Sequence, residues 1–565
     1  MIKVHRLSFS FILILCILSS YGCNKIEKGK MSSQIHINQL GYKVKDKKEV
    51  IFNNNPDSFK VINSSSGKVV LEKSISKGKK DISSGDVVYS GDFTEVNTPG
   101  EYYIQTSDGK CSYEFAIGDK VYDSINNALI KGLYLQRCGM ALDSKYAGIW
   151  AHDACHTAKA VLYTDESVEL DVSGGWHDAG DYGLYTVTAG KTLADMLLAY
   201  DFFPNSYKSK INIPGSSSIP DILTEAEYEL TWLFKMQSPS GGVYHKVTTA
   251  SFPDFVMPNV DLGTRYVLPV SSTATGDFAA VMALASRIYA PFDKGFSDNC
   301  LTAAKKAWDF LKSNPSPILF KNPERISTGE YGDDSDIDER FWAACELFRT
   351  TGDSEYNYEA KELGNKLSDF TSFGWQNMSG YGATAYMFAE STLRNPDLYA
   401  KIKINFAIIA DKLVETSSQD GYNVTLASNE YVWGSNMNVL NNAMLLIIAD
   451  KLKATTSYKV VATNQWNYIF GLNSLNKSFV TGFGDNSVKH PHHRPSESGE
   501  VNKPVPGLIA GGPNSGLQDD IAKSQLGGEP AAKCYLDDSS AYSLNEICIC
   551  WNSPGIFVSG FVNSN

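Results

Sequence analysis

Long runs of lysine and arginine are missing from this 565-residue chain, whose formal net charge is −12. Nucleic-acid backbones are bound by clustered basic side chains that displace counterions, so that class of partner is excluded. Cysteine is sparse: 10 residues in 565 cannot form the dense disulfide framework of small exported domains. Beyond the extreme N-terminus no apolar run is long enough to cross a bilayer. Neither a separate carbohydrate-binding module nor a wall-anchoring repeat is readable. What is present is globular in character, with 43% hydrophobic and 20% charged residues. The length calls for two or more folded units. With 30 Tyr, 27 Phe and 9 Trp, aromatics supply either a helical core or a stacking surface. The acidic balance suits a neutral ligand.

Lys3 and Arg6 precede an apolar stretch from Leu7 to Leu18 that ends in Ser19-Ser20-Tyr21-Gly22-Cys23. The stretch is too short for a membrane span and has the layout of an export signal. A small residue directly before Cys23 resembles a bacterial lipobox; Ser20 is unusual for one, and plain secretion is the alternative. The expectation is a lipoprotein signal over 1–23, acylation of Cys23 and a polar tether over 24–33. Such a protein is exported and held at a membrane, on the periplasmic or surface side of an outer membrane. Eight cysteines remain after Cys16 and Cys23 (Cys111, Cys138, Cys155, Cys300, Cys345, Cys534, Cys548 and Cys550), and spacing does not pair them.

Residues 34–118 alternate β-branched and aromatic side chains in short runs such as Glu49–Phe52, Phe59–Ile62 and Glu101–Ile104. Turn signals such as Asn53-Asn54-Asn55-Pro56 and Pro99-Gly100 separate them. About seven short strands of this kind predict an immunoglobulin-like β-sandwich. From Tyr122 the period becomes helical. Apolar faces are readable at 192–202, 222–236, 278–289, 301–311, 341–348, 399–415 and 439–452, with almost no convincing strands between them. Residues 119–565 are therefore expected to be all-α and built from helix pairs. Periodicity does not separate a barrel of such pairs from a solenoid.

Three stretches carry chemistry. Gly174-Gly175-Trp176-His177-Asp178-Ala179-Gly180-Asp181 sets two carboxylates among glycines, just ahead of a helix. They can orient and deprotonate a water, or Asp can simply cap the helix. Glu546 lies among apolar and aromatic residues that disfavour ionisation, as a general acid requires; a buried Glu paired with a Lys has the same sequence. His490-Pro491-His492-His493-Arg494 fits hydroxyl recognition by His and Arg as well as it fits a metal.

Together these stretches resemble glycoside hydrolase family 9, the inverting β-glucanases that include many cellulases. Ser478 to Asn486, continuing to His492-His493-Arg494, is similar to the family's His/Arg signature. Tyr535, Asp537, Tyr542, Glu546 and Asn552-Ser553 follow its acid signature, with Cys548 standing where Ser, Thr or Ala is usual. Trp433-Gly434-Ser435-Asn436 and Asn38-Gln39-Leu40-Gly41-Tyr42 also look like family elements. The resemblance implies a multidomain chain, with the immunoglobulin-like sandwich followed by an (α/α)6 barrel that cleaves internal β-1,4-glucosidic bonds in cellulose-like or hemicellulosic glucans. It implies Asp181 as general base, Asp178 as its helper and Glu546 as general acid. Inversion then separates base and acid carboxyls by roughly 6.5–9.5 Å. His492 and Arg494 would bind the glycan, with Asp537 and Tyr542 supporting the acid loop at the substrate. Soluble or hemicellulosic glucans fit a monomer without a binding module. An exo-acting glycosidase and a non-catalytic glycan binder are the alternatives, but a degenerate binder would lose Asp181 or Glu546.

Two metals are also expected. Cys138, Cys155, His156 and His177 offer a Cys₂His₂ set suited to tetrahedral zinc, with a Cys138–Cys155 disulfide as the competitor; relatives with the immunoglobulin-like domain bind zinc at a similar pattern. A closed zinc site there would pin the loop of Asp178. The acidic run Asp333 to Glu339 suits calcium or a solvated helix start, and the resemblance points to Asp338 and Glu339.

Overall fold

The computed structural model describes residues 28–215, 218–501 and 503–564. The expected export signal, with Cys23, lies outside the described residues. Of the expected tether, residues 30–33 already belong to the first domain: Lys30 and Ser32 exchange backbone hydrogen bonds with Cys111.

The N-terminal domain has nine strands in two sheets. One runs β1 (Ile35–His36), β3 (Glu49–Phe52), β7 (Val87–Asp92), β6 (Lys79–Lys80). The other runs β2 (Gly41–Tyr42), β9 (Phe115–Ile117), β8 (Gly100–Thr106), β4 (Ser58–Asn63), β5 (Val69–Ser74). Side chains alternate across a strand, so Phe59 and Val61 of β4 face inward with Val50 and Phe52 of β3. That shared core makes the two sheets a sandwich. Its Asn38-Gln39 segment grips the second domain: Asn38 Nδ2 donates to Asn467 Oδ1 at 2.9 Å, and Gln39 Oε1 accepts from Asn486 N at 2.8 Å.

The second domain is helical, and its helices fall into two kinds. Thr186–Phe202, Ser272–Tyr289, Ile337–Thr351, Ser379–Met387, Ser435–Leu452 and Ile549–Ser564 are buried nearly all round. Asp123–Tyr134, Asp221–Met236, Lys294–Ser313, Ser354–Lys366, Pro396–Gln419 and Thr456–Ile469 are covered on one face only. Contacts among the buried set run in series from 379–387 through 337–351, 272–289, 186–202 and 549–564 to 435–452. A polar knot ties three of these helices at the centre: Asp195 accepts from Lys191 Nζ at 2.6 Å, Ser553 Oγ at 2.6 Å and Tyr381 OH. The buried Asp195 carboxylate is thus paired with a cation and two hydroxyls, which is what lets charges sit in such a core. Among the described residues no helix is long and apolar enough to cross a membrane.

The helices expected from periodicity all exist and are longer at their N-termini, because first turns carry caps and polar residues. Segments 379–387 and 549–564 showed no stripe because they have no wet face. Strands were underestimated. Five short ones form a sheet in the order 169–170, 160–162, 266–267, 246–248, 184–185. At two or three residues each, they have no period to read. The last of them, Leu184–Tyr185, follows Asp181 directly and pairs with Lys246–Val247, anchoring the carboxylate loop.

Candidate active site

Three loops, together with Gly511 from a fourth segment, are laced together by backbone hydrogen bonds. Ile549 N donates to Asp178 O at 2.7 Å, Arg494 N to Gly180 O at 3.1 Å, His492 N to Asn545 O at 2.9 Å and Gly511 N to Glu546 O at 2.8 Å. Gly180 must be glycine for packing: a Cβ there would lie 2.1 Å from the His492 carbonyl oxygen. The sequence-distant stretches 174–183, 489–494 and 535–553 are thus one structural unit.

Asp181 and Glu546 face a single cavity of about 920 Å³, with His492, Arg494 and Tyr542 in the same wall. Aromatic rings of Phe252, Tyr331, Trp375 and Trp433 complete it. The volume falls in the range of ligand clefts, about 300–1,000 Å³. Burial, and the charges of Asp181 and Asp178, push Glu546 well above the ordinary glutamate range, against the opposing pull of Arg494 and the Gly180 amide. Burial also raises Asp181, opposed by its bond from Gly183 N and by Arg494. Arg494 is itself held by carbonyls, Nε on Pro253 O at 2.9 Å and Nη1 on Gly180 O at 2.8 Å, with the Phe252 and Phe255 rings against its guanidinium. His492 Nδ1 lies 2.6 Å from the Ser539 carbonyl and therefore carries the proton, leaving Nε2 as an acceptor.

Asp178 is placed one layer back. It is wholly buried and absent from the cavity wall, where Asp181 stands. Its carboxylate accepts from Thr188 Oγ1, from Tyr331 OH at 2.7 Å and from the Cys548 thiol at 3.8 Å. Burial and the neighbouring Asp181 charge raise it to about 7. Asp537 keeps the expected support of the acid loop but not the expected place at the substrate. Its oxygens are occupied by Lys477 Nζ at 2.7 Å, Lys489 N, His490 N and Asn545 Nδ2, and it is no part of the cavity wall. It braces the acid loop against the His/Arg loop, since a carboxylate fully used by loop donors has none left for a sugar.

Cys138, Cys155, His156 and His177 converge, each offering one ligand atom, all within 4.8 Å of one another. Both cysteines are free thiols. Burial lowers His177 to about 4, so it is a neutral imidazole able to ligate. Cys155 is driven toward the thiolate by the Cys138 thiol and by both imidazoles. His156 points Nδ1 at the cluster while Nε2 meets Asp261 Oδ2 at 3.2 Å, the outer carboxylate that fixes a ligating imidazole. Two thiols and two imidazoles fit a tetrahedral cation, and His177 carries that order to Asp178.

The acidic run behaves differently. Glu339 is fully buried and neither of its oxygens has a hydrogen-bond partner; the same holds for both oxygens of Asp277. Gly276 lets the two helices touch here, since its Cβ would lie 2.6 Å from that of Glu339. Burial raises both groups, the Asp338 and Asp333 charges push each further, and Asp277 adds to the rise of Glu339. Asp338 is partly committed, accepting from Met378 N at 2.7 Å. Unpartnered buried carboxylates are costly unless protonated or matched by a hard cation.

Comparison with known proteins decides the family. The model of "Glycosyl hydrolase family 9" matches residues 122–559, and that of the "Cellulase N-terminal ig-like domain" matches residues 30–110. The chain belongs to glycosyl hydrolase family 9. Among relatives of this family 9 hydrolase, a cellodextrinase of Butyrivibrio fibrisolvens is 36% identical over 93% of the chain and 98% of its own length. Endoglucanase D of Acetivibrio thermocellus is 36% identical, covering 95% of this chain and 85% of its own. The crystal structure of a single-mutant thermostable endoglucanase from Alicyclobacillus acidocaldarius superposes with a TM-score of 0.89 at 36% identity, covering 94% of this chain and all of that one. In the family 9 hydrolase, sequence reasoning collects Asp181, His492, Arg494, Tyr542 and Glu546 of the cavity wall and misses Glu330, Tyr185 and Tyr331. It missed what surrounds them: Thr188 and Tyr331 on Asp178, Asp261 behind His156, and Asp277 beside Glu339. Nothing in spacing links those residues to their partners, which come from other helices and loops.

Proposed function

We propose that the chain is an inverting hydrolase of internal β-1,4-glucosidic bonds in cellulose-like or hemicellulosic glucans. The carrying observation is that Asp181 and Glu546 share one aromatic-walled cavity, with Glu546 biased toward its protonated form. Asp181 takes a proton from water as the water oxygen bonds to the anomeric carbon. Glu546 gives its proton to the departing glycosidic oxygen, so the product anomer is inverted. Arg494 and the acceptor nitrogen of His492 hold hydroxyls, and Asp178, clamped by three donors, keeps the base loop in register. The names of the relatives support this substrate class, and that of the Butyrivibrio protein favours short cellodextrins as a second reading. Product analysis on carboxymethylcellulose, mixed-linkage glucan, xyloglucan and cello-oligosaccharides tests the proposal. Cleavage of at least one β-1,4-glucan with an initially α-configured product is expected; a β-configured product or no cleavage overturns it.

The series of buried helix contacts, with six buried and six one-face helices, supports an (α/α)6 barrel. The Cys₂His₂ cluster supports a structural zinc ion. Purified protein is expected to hold about one zinc per chain; Cys155→Ser should lose it and melt earlier, and an unchanged metal content would rule the site out. The unpartnered Asp277 and Glu339 favour calcium beside Asp338. Chelation with EGTA is expected to lower Tm by several degrees, restored by calcium and not by magnesium, because the larger ion accepts irregular oxygen cages. Unchanged melting would mean these carboxyls are simply protonated. At the N-terminus we retain the lipid-anchored, exported monomer, to be checked by radiolabelled palmitate incorporation at Cys23.

A further inference from the structure

Behind the catalytic wall lies a charge that the acid–base pair does not use. Lys246 is wholly buried, on the short strand 246–248 that pairs with Leu184–Tyr185 just after Asp181. Its ammonium donates to Asn322 Oδ1 at 2.7 Å, Gly329 O at 2.6 Å and Thr328 Oγ1 at 3.3 Å, all of them neutral. Lys191, buried in the helical core, by contrast has a carboxylate in contact, Asp195 at 2.6 Å. Taking an ammonium out of water with no ion touching it is costly.

Two of those acceptors belong to the loop 327–331, which forms part of the cavity wall. His245, next to Lys246, reaches the same loop: Nε2 lies 3.2 Å from Glu330 O and Nδ1 2.9 Å from Ser271 Oγ. Burial lowers His245 to about 3, so it is neutral, and its Nε2–H donates to the Glu330 carbonyl. The loop ends at Tyr331, whose φ of +48° is left-handed backbone that a bulky residue adopts only when its surroundings impose it. From there Tyr331 OH donates to Asp178 Oδ2 at 2.7 Å. Lys246 and His245 thus anchor the far end of the contact that clamps Asp178. The same ammonium stands 5.4 Å from the ring centroid of Tyr185, which shares the cavity wall with Asp181. Burial pulls Lys246 down to about 7, against the opposing charges of Asp181 and Glu330. The influence is mutual: burial raises Asp181, and the Gly183 amide, Arg494, Arg265 and Lys246 oppose the rise. The remaining ionisable groups around Asp181 are Asp178 and Glu546, which repel its charge when ionised, and the phenols of Tyr182 and Tyr185.

We infer that Lys246 is a positioning residue of the hydrolysis: its ammonium seats the loop that carries Tyr331 to Asp178 and supplies positive charge behind the Asp181 carboxylate. The inference rests on the reading of Asp181 as general base and adds a group that keeps that base ionised. Below about pH 7 Lys246 is charged, so its support is present over the acid range in which Asp181 takes up a proton. Asp181 acts as the anion. Without the Lys246 charge that anion is less favoured, and the acid limb of kcat/KM moves to higher pH.

The test is the pH profile of kcat/KM on dinitrophenyl cellobioside, whose cleavage needs the base and little of the acid. Lys246→Met removes the charge and the donors, Lys246→Gln removes the charge but keeps a donor for Gly329 O, and Lys246→Arg keeps the charge. Both neutral variants are expected to shift the acid limb up by about one pH unit, the low end for a charge near a carboxylate. Lys246→Arg should leave the limb in place. Lys246→Met should lose a further few-fold in kcat that Lys246→Gln keeps, as the Tyr331 loop loosens. A limb unmoved in folded Lys246→Met and Lys246→Gln overturns the inference, and so does one moved equally by Lys246→Arg. Failure of both neutral variants to fold, read by circular dichroism and melting, overturns it as well, because the ammonium then serves the fold alone. A parent profile with no acid limb for Asp181→Asn to remove defeats the base assignment itself, so the two failures are distinguishable.

Discussion

Glu546→Ala is expected to lower kcat on natural β-1,4-glucans about 10²–10⁴-fold, the usual contribution of a positioned general acid. By the tenfold-per-1.36 kcal/mol rule that is about 3–5 kcal/mol of transition-state stabilisation. The loss should depend on the leaving group. The dinitrophenolate of a dinitrophenyl cellobioside departs without a proton, so its cleavage should fall far less than that of a glucan. The pH profile carries the same signature. Glu546 acts while protonated, and its folded pKa is raised by burial and by the Asp181 and Asp178 charges. Activity therefore persists above the ordinary carboxylate range and falls on the alkaline side as Glu546 ionises; in Glu546→Ala that limb should vanish. The linked stability also falls as pH rises, beginning at a lower pH than the loss of activity. Above the unfolded glutamate pKa the unfolded chain has released this proton and the folded chain still holds it, so stability declines with rising pH. Glu546→Gln removes that term and is expected to melt no lower than the parent at neutral pH. An equal loss on both substrate types would show that Glu546 does not supply the proton.

Asp181→Asn should be as damaging, about 10²–10⁴-fold in kcat, but without regard to the leaving group. The reason is that water must be deprotonated in every turnover, however easily the aglycone departs. Asn keeps the shape and the acceptor for Gly183 N, so the Leu184–Tyr185 strand stays paired. KM should change little, because the substrate is held by other residues of the wall. The acid limb of the profile should disappear with the base. Activity within tenfold of the parent on both glucan and dinitrophenyl substrate would remove Asp181 from the role and leave Asp178 as the candidate.

Comparison of these two aspartates shows where reading a sequence stops. Three positions apart on a glycine-rich loop, they look interchangeable. The fold buries Asp178 against Thr188, Tyr331 and Cys548 and leaves Asp181 in the cavity wall. Asp537 was legible as part of the acid stretch, but its four loop donors were not, because Lys477, Lys489, His490 and Asn545 gather only when two loops pack. The cysteine and histidine set was legible by residue type, and its convergence was not, since Cys138 and His177 are 39 positions apart.

By itself the sequence determined the order of the two domains, the identity of the base and acid candidates and the Cys₂His₂ donor set. The domain order depends on side-chain period and the donor set on residue type, while the roles of base and acid are what the likeness of the local motifs to the family implies. The tertiary structure decided which carboxylate faces the cavity and which merely braces a loop. It also paired Asp277 with Glu339 through a glycine contact that only two packed helices can make. Burial, and hence the protonation bias of Glu546, is a property of all the chain around it, and no local stretch of sequence contains it.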